Sequence, residues 1–103
     1  MVLTTTETIS GRNLITLGLV VGSMIQSKHI GKDIGSGFRN IVGGEMKAYT
    51  EMMNESREIA IQRMIGQAAA MGADAVVAMR ITTSSIVQGA AEVMVYGTAV
   101  KFA

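Results

Sequence analysis

Residues 14–25 (LITLGLVVGSMI) run for twelve positions without a charged side chain. Read with the two-residue period of a strand, Ile15, Leu17, Leu19, Val21 and Ile25 fall on one face. Leu14, Val20 and Met24 fall on the other, with Gly18 and Gly22. A strand that is apolar on both faces needs cover on both. The pattern predicts a central strand over 14–28, in a fold with more than one layer around its sheet. Glycine inside a strand marks a bulge or a close backbone approach, so Gly18 and Gly22 predict tight packing on their shared face.

The rest of the chain reads around that strand. Residues 75–85 and 91–102 form two further strands, joined by a turn at Gln88 and Gly89. In the first, Ala75, Val77, Met79 and Ile81 alternate with Val76, Ala78, Arg80 and Thr82. In the second, Met94, Tyr96, Val100 and Phe102 share a face, opposite Val93, Val95 and Ala99. Residues 46–71 carry the helical period: Tyr49, Met53, Ser56, Ala60, Met64, Ala68 and Met71 form an apolar stripe opposite Glu51, Glu55, Glu58 and Gln62. Ile59, Ile61, Ile65, Ala69 and Ala70 widen that stripe in the second half, which therefore calls for cover from more than one sheet face. Gly72 ends the helix as a left-handed cap. Residues 1–10 read as an extended strand, 11–13 as a turn, and 29–45 as a glycine-rich stretch around a short helix at 38–42.

The expected fold is α+β. An antiparallel sheet of three strands, four if residues 1–10 join it, packs on one long helix within a single domain of residues 1–103. One helix covers one sheet face, so the other needs a partner, and in a chain this small a second copy is the expected one. The charge content agrees. Only 17% of the 103 residues are charged, and the mean hydropathy is +0.37, whereas soluble domains usually carry about 25% charge.

Several function classes drop out. The chain has no Cys, hence no disulfide scaffold, cysteine nucleophile or cysteine zinc site. Its nine basic residues are dispersed against eight acidic ones, and its four aromatics are scattered. Neither makes a nucleic-acid footprint. The longest apolar run is too short to span a bilayer, and Glu7 stands where a leader would carry basic charge. No nucleic-acid or membrane partner is expected, and the expected location is the cytoplasm.

Residues that could carry chemistry are few. Residues 31–37 (GKDIGSG) resemble a phosphate loop in composition. Gln26 and Asp33 break the Walker pattern, and Asn40 breaks the dinucleotide fingerprint. Lys32 and Arg39 remain as candidates for an anion, against a plain packing loop. His29 and Asp33 stand at helical spacing and, with Glu92, are the candidate metal ligands. As the sole His, His29 would need copies from other subunits. The nine Met suit a soft metal, but Met53, Met64, Met71, Met79 and Met94 fall at core positions, where Met is filler. Met46 and Met52 are left over. Glu92 is the lone acid in an apolar strand. It reads as an ion-pair partner of Arg57, Arg63 or Arg80 before it reads as a general acid or base. No catalytic residue is assigned.

Several stretches taken together resemble the YbjQ-like family of small bacterial and archaeal proteins. They are residues 39–45 (RNIVGGE), Tyr49, 60–63 (AIQR), 72–77 (GADAVV) and 96–100 (YGTAV). Residues 33–35 (DIG) and 4–8 (TTTET) fit as well. The resemblance covers essentially the whole chain. It implies a dodecin-like α+β subunit assembling into a homo-oligomeric ring, a pentamer, with a heavy-metal-binding label and no ligand set assigned by position. The expected role is a non-enzymatic ring that binds a metal ion or small ligand at its subunit interfaces. The alternatives are a structural or protein-interaction module and, below it, an enzyme with a site shared between subunits.

Overall fold

In the computed structural model, residues 1–27, 44–87 and 90–103 are described. The elements are β1 (Val2–Leu3), β2 (Leu14–Ser27), α1 (Gly44–Ala70), β3 (Ala75–Val87) and β4 (Ala90–Phe102). The glycine-rich stretch, the short helix expected at 38–42 and the turn at Gln88 and Gly89 lie outside the described residues.

The four strands form one sheet in the order β1-β3-β4-β2. β4 runs antiparallel to both of its neighbours, and β1 runs parallel to β3. The sheet is therefore mixed, which corrects the wholly antiparallel expectation. The cause lies in the N-terminal segment. It follows the outer edge of β3 in the same direction, with Thr4 N–H donating to the Val76 carbonyl (3.0 Å) and Met79 N–H to the Thr4 carbonyl (3.0 Å). It forms a strand for only two residues, because threonine hydroxyls then take over. Thr6 Oγ1 donates to the Thr8 carbonyl (2.6 Å), so the proton on the 2.8 Å contact between Thr4 and Thr6 hydroxyls comes from Thr4. Such local bonds compete with a ladder and bend the chain.

β2 is the second correction. It was expected at the centre and lies at the edge, while β4 is central. The helix accounts for one of its apolar faces. Val20 is fully buried with Ala60, Met64, Ala68, Val76, Val93, Val95 and Ala99, and these residues make the main core between α1 and the sheet. The helix also caps the outer edge of β2. Gln67 Oε1 accepts from Val21 N–H (2.7 Å), and Arg63 Nη1 donates to the Ser23 carbonyl (2.7 Å). Edge strands need such protection.

Register shifts interrupt the alternation at three places, one of them between Ser85 and Val87 near the end of β3. The β2–β4 register slips between Thr16 and Gly18, and the β3–β4 register between Val77 and Arg80. Leu14 therefore packs on the face away from the helix, while Leu17 reaches the main core. In β3, Val76 and Met79 share the helix side, although strict alternation separates them. Ala78 absorbs the β3 bulge with φ at 53°, a conformation costing a non-glycine residue about 1–2 kcal/mol. Its N–H is held by the Thr6 carbonyl at 2.8 Å.

The helix follows its sequence pattern closely. Ser56, Ala60, Met64 and Ala68 are buried, and Glu51, Glu55, Glu58 and Gln62 are exposed. Gly72, with φ at 78°, closes it. Gly72 N–H bonds the Ala69 carbonyl (3.0 Å) and Ala73 N–H the Ala68 carbonyl (3.1 Å), the two bonds of a Schellman cap. Asp74 then ties the sheet end: its N–H donates to the Val100 carbonyl (2.9 Å), and its carboxylate accepts from Phe102 N–H (2.7 Å). Met71 departs from the stripe and is exposed. The helix has ended by then, so the residue no longer follows the helical face.

Helix and sheet meet most closely at Gly22. A Cβ there would overlap the Ala60 carbonyl oxygen and the Met64 amide nitrogen, both backbone atoms. Gly66, by contrast, has open space around the same position. Two glycine-to-alanine changes should therefore have opposite signs in thermal or urea unfolding. Gly22→Ala should cost about 3 kcal/mol or more, because the helix must move off the sheet. Gly66→Ala should add about 0.5–1 kcal/mol from the lower backbone entropy of the unfolded helix segment.

Candidate functional site

The sheet face away from α1 is the candidate site. Paired residues of neighbouring strands share a face, so the register sets its rows. Leu19, Thr98 and Val77 form one row, and Val21, Tyr96 and Arg80 the next. Ser23, Met94 and Thr82 follow, then Ile25, Glu92 and Ser84. One end of the face is closed. Ile9, Leu14 and Phe102 pack over Ala75, Val77 and Val100, and the Arg12 guanidinium sits 4.3 Å above the Phe102 ring centroid. Beyond that lid the face is open. Leu19 is 69% exposed, Ile25 57% and Tyr96 37%.

Beside the lid lies a cleft of about 270 Å³ lined by Glu7, Leu14, Thr16, Val77, Ala78, Thr98 and Val100. Its one ionisable group is the exposed Glu7 carboxylate. The backbone bulge at Ala78 shapes one wall.

Of the candidate residues named from the sequence, Glu92 alone is described. It is half-buried in β4 between Ile25 and Ser84. His29, Asp33, Lys32 and Arg39 lie outside the described residues. The expected arginine partners of Glu92 are engaged elsewhere. Arg57 donates to the Asn54 side chain, Arg63 to the Ser23 carbonyl, and Arg80 to the Thr5 (3.0 Å) and Met79 (2.8 Å) carbonyls. Each arginine thus satisfies a backbone or helix-surface acceptor near its own element.

A heavy-metal site needs several grouped donors. Among the described residues no three His, Cys, Asp or Glu side chains come together, and the whole chain has one His and no Cys. The described donor set of a single chain does not fit such a metal. The methionines add little: Met64 is fully buried, and Met24, Met53 and Met79 pack against the core. The helix hydroxyl of Ser56 is also accounted for. It lies 2.9 Å from the Met52 carbonyl and 3.2 Å from Gln26 Oε1. No buried side-chain nitrogen or oxygen lacks a partner among the described residues.

Sequence reasoning missed two features. The sequence reading assigns Gln67 nothing and takes Arg63 only as a candidate partner of Glu92, although their spacing of four on α1, flanking buried Met64, places them on one helix side toward β2. Glu7 gave no signal, since its place at the cleft depends on how residues 4–10 fold back.

The arrangement defines a small α+β fold, one helix on a four-stranded mixed sheet, with one sheet face partly open. The chain belongs to the YbjQ family: the family model described as "Putative heavy-metal-binding" matches residues 1–103. Relatives named UPF0145 protein are similar across nearly the whole length. The one from Clostridium novyi is 60% identical over 98% of both chains. That from Vibrio campbellii is 58% identical, also over 98% of both. That from Alkaliphilus metalliredigens is 57% identical over 99% of both. Among solved structures, a protein of unknown function from Pediococcus pentosaceus, assigned to the DUF74 family, shares the fold. Its TM-score is 0.71 at 16% identity, covering 100% of this chain and 98% of that one. The family is uncharacterised and is not described as an enzyme family. Among the described residues no helix is long and apolar enough to cross a membrane.

The position of Glu92 leads to a direct check. Glu92→Gln should change unfolding free energy by no more than about 0.5 kcal/mol, because the three arginines considered as partners of this half-buried carboxylate bond elsewhere. A loss of about 3 kcal/mol would instead reveal a buried ion pair, and calorimetric melting distinguishes the two.

Proposed function

We propose that this chain is a non-enzymatic subunit of a homo-oligomeric ring. The ring is dodecin-like and pentameric, works in the cytoplasm, and takes a small ligand or metal ion at its subunit interfaces. The open sheet face carries this reading. Leu19, Ile25 and Tyr96 are exposed on it, and Val21 and Met94 are half-buried beside them. Contiguous exposed apolar surface of this kind marks an interaction site. Ile59 and Ile65, on the widened stripe of α1, are also only half-buried, and Ala69 and Ala70 are exposed.

Size and shape add support. The radius of gyration is 16.9 Å and the extents are 54 × 23 × 16 Å, whereas a compact chain of this length has a radius near 13 Å. The accessible surface is 6509 Å², against about 5,600 Å² for a folded monomer of this mass. A second copy is the economical cover, since the chain is always present at its own concentration.

The metal part of the reading requires several subunits. Single donors such as His29, Asp33 or Glu92 make a site only where copies meet. Calorimetric titration of the purified assembly with Cu, Zn and Ni tests this, with stoichiometric heat per ring expected. Absence of heat favours the interaction module instead, a reading helped by the lack of grouped donors among the described residues. An enzyme with a shared site ranks third. It would lose its main candidate if Glu92→Gln left turnover unchanged.

The assembly itself is tested by sedimentation. Wild-type protein at micromolar concentration should sediment as an oligomer. Leu19→Lys combined with Ile25→Lys should give a folded monomer with an unchanged far-ultraviolet spectrum, because two charges then face the interface. A wild-type monomer, or a double variant that keeps full mass, removes the open face as the assembly surface.

A further inference from the structure

Two register shifts converge on the cleft beside the lid. Central β4 contributes Thr98 and Val100 to its walls. On one side of these residues β2 slips between Thr16 and Gly18, and on the other β3 slips between Val77 and Arg80. Thr16, Val77 and Ala78, which border the slips, are walls of the same cleft. Bulges re-aim side chains and are over-represented beside functional sites. The β3 bulge also carries the strained backbone of Ala78, with φ at 53°, and such strain clusters at ligand sites.

That strained bulge sets the place of Glu7. The Ala78 N–H donates to the Thr6 carbonyl (2.8 Å), and Thr6 Oγ1 donates to the Thr8 carbonyl (2.6 Å). The backbone is therefore tied down on both sides of Glu7, whose carboxylate belongs to the cleft wall.

The wall chemistry selects a ligand. Leu14, Val77 and Val100 are apolar, Thr16 and Thr98 bring hydroxyls, and Glu7 brings the one charge, with no basic residue among the walls. An anion would meet that carboxylate with nothing to offset it. A multivalent metal would find a single carboxylate. An ammonium group has three donors and no acceptor, and carboxylate and hydroxyl oxygens all accept. The volume of about 270 Å³ lies below the roughly 300–1,000 Å³ of pockets for drug-sized ligands, which restricts the stem to a few carbons.

We propose that this cleft binds a small primary alkylammonium ion, its charged head at Glu7 and the Thr16 and Thr98 hydroxyls, its alkyl stem against Leu14, Val77 and Val100. This rests on the small-ligand part of the function proposed above, and it names the ligand class and a site within one chain.

The probe is butylammonium chloride, titrated into the isotope-labelled full chain and followed by amide chemical shifts. Butanol and butyrate serve as the neutral and anionic counterparts. Saturable shifts are expected at Glu7, Thr16, Val77, Ala78 and Thr98, with a Kd on the order of millimolar for so small a ligand. Butanol and the Glu7→Gln variant should each weaken binding about fivefold, the upper end for a carboxylate in contact with water, and butyrate should not bind. Added salt should weaken binding to the wild type and leave Glu7→Gln unchanged. Thr16→Leu, at an exposed position, should fill the cleft and abolish saturation while the far-ultraviolet spectrum stays native.

A wild type without saturable shifts overturns the proposal. So does equal affinity for butanol, or binding that survives Glu7→Gln or Thr16→Leu undiminished. Sedimentation of the same samples separates this site from the ring. A monomer that binds butylammonium removes the ring and keeps the site, whereas an oligomer that does not bind removes the site and keeps the ring. Binding that appears only on dissociation means that a neighbouring copy fills the cleft, and the proposal fails.

Discussion

The structure depends on how closely α1 lies on β2. At Gly22 the strand has no side chain, and the backbone of Ala60 and Met64 fills the space a Cβ would take. Ala60 and Ala68 keep the facing side of the helix thin, and Met64 fills the remaining depth. Close approach of this kind maximises dispersion contacts over a small area. It also fixes which side of the sheet the helix covers. On the other side, among the described residues, the N-terminal segment contributes to the cover over one end of the sheet.

That division explains the uneven treatment of the surface. On the helix side, polar groups are matched one by one: Gln67 and Arg63 serve the edge of β2, and Ser56 bonds within its own helix turn. On the far side a lid of Ile9, Leu14 and Phe102 covers only the end of the sheet. The remaining rows expose Leu19, Ile25 and Tyr96, and the distal edge of β3 is bare among the described residues. Apolar surface and unpaired backbone occur together. The apolar surface is costly in water, whereas the edge amides and carbonyls are hydrogen-bonded by water and would cost free energy only if buried without partners.

Chemistry is sparse by comparison. The lone carboxylates Glu7 and Glu92 stand in separate places, one at the cleft and one within the open rows. The arginines that might have paired Glu92 instead hold carbonyl oxygens and a helix-surface amide. Among the described residues of one chain, no group of donors for a heavy metal comes together. Where it is described, the methionine content follows from packing, as fully buried Met64 illustrates.

Much of this was legible in the sequence, because it is local. The helical stripe from Ser56 to Ala68, the left-handed cap at Gly72 and the two-faced pattern of β4 follow from periods of 3.6 and 2 and from glycine's freedom at positive φ. The close approach at Gly22 was legible for the same reason: a strand glycine needs a cause. Other features depend on pairing between distant segments. The bulges at Leu17 and Ala78 switch faces in ways that alternation cannot reveal, because a bulge is a property of two strands together. The edge position of β2, the parallel β1 and the capping by Arg63 and Gln67 are likewise tertiary. Apolar residues on both sides of β2 predict cover on both faces. The folded chain lays its own helix on one of them and leaves Leu19 and Ile25 exposed on the other, because one helix packs against only one side of a sheet.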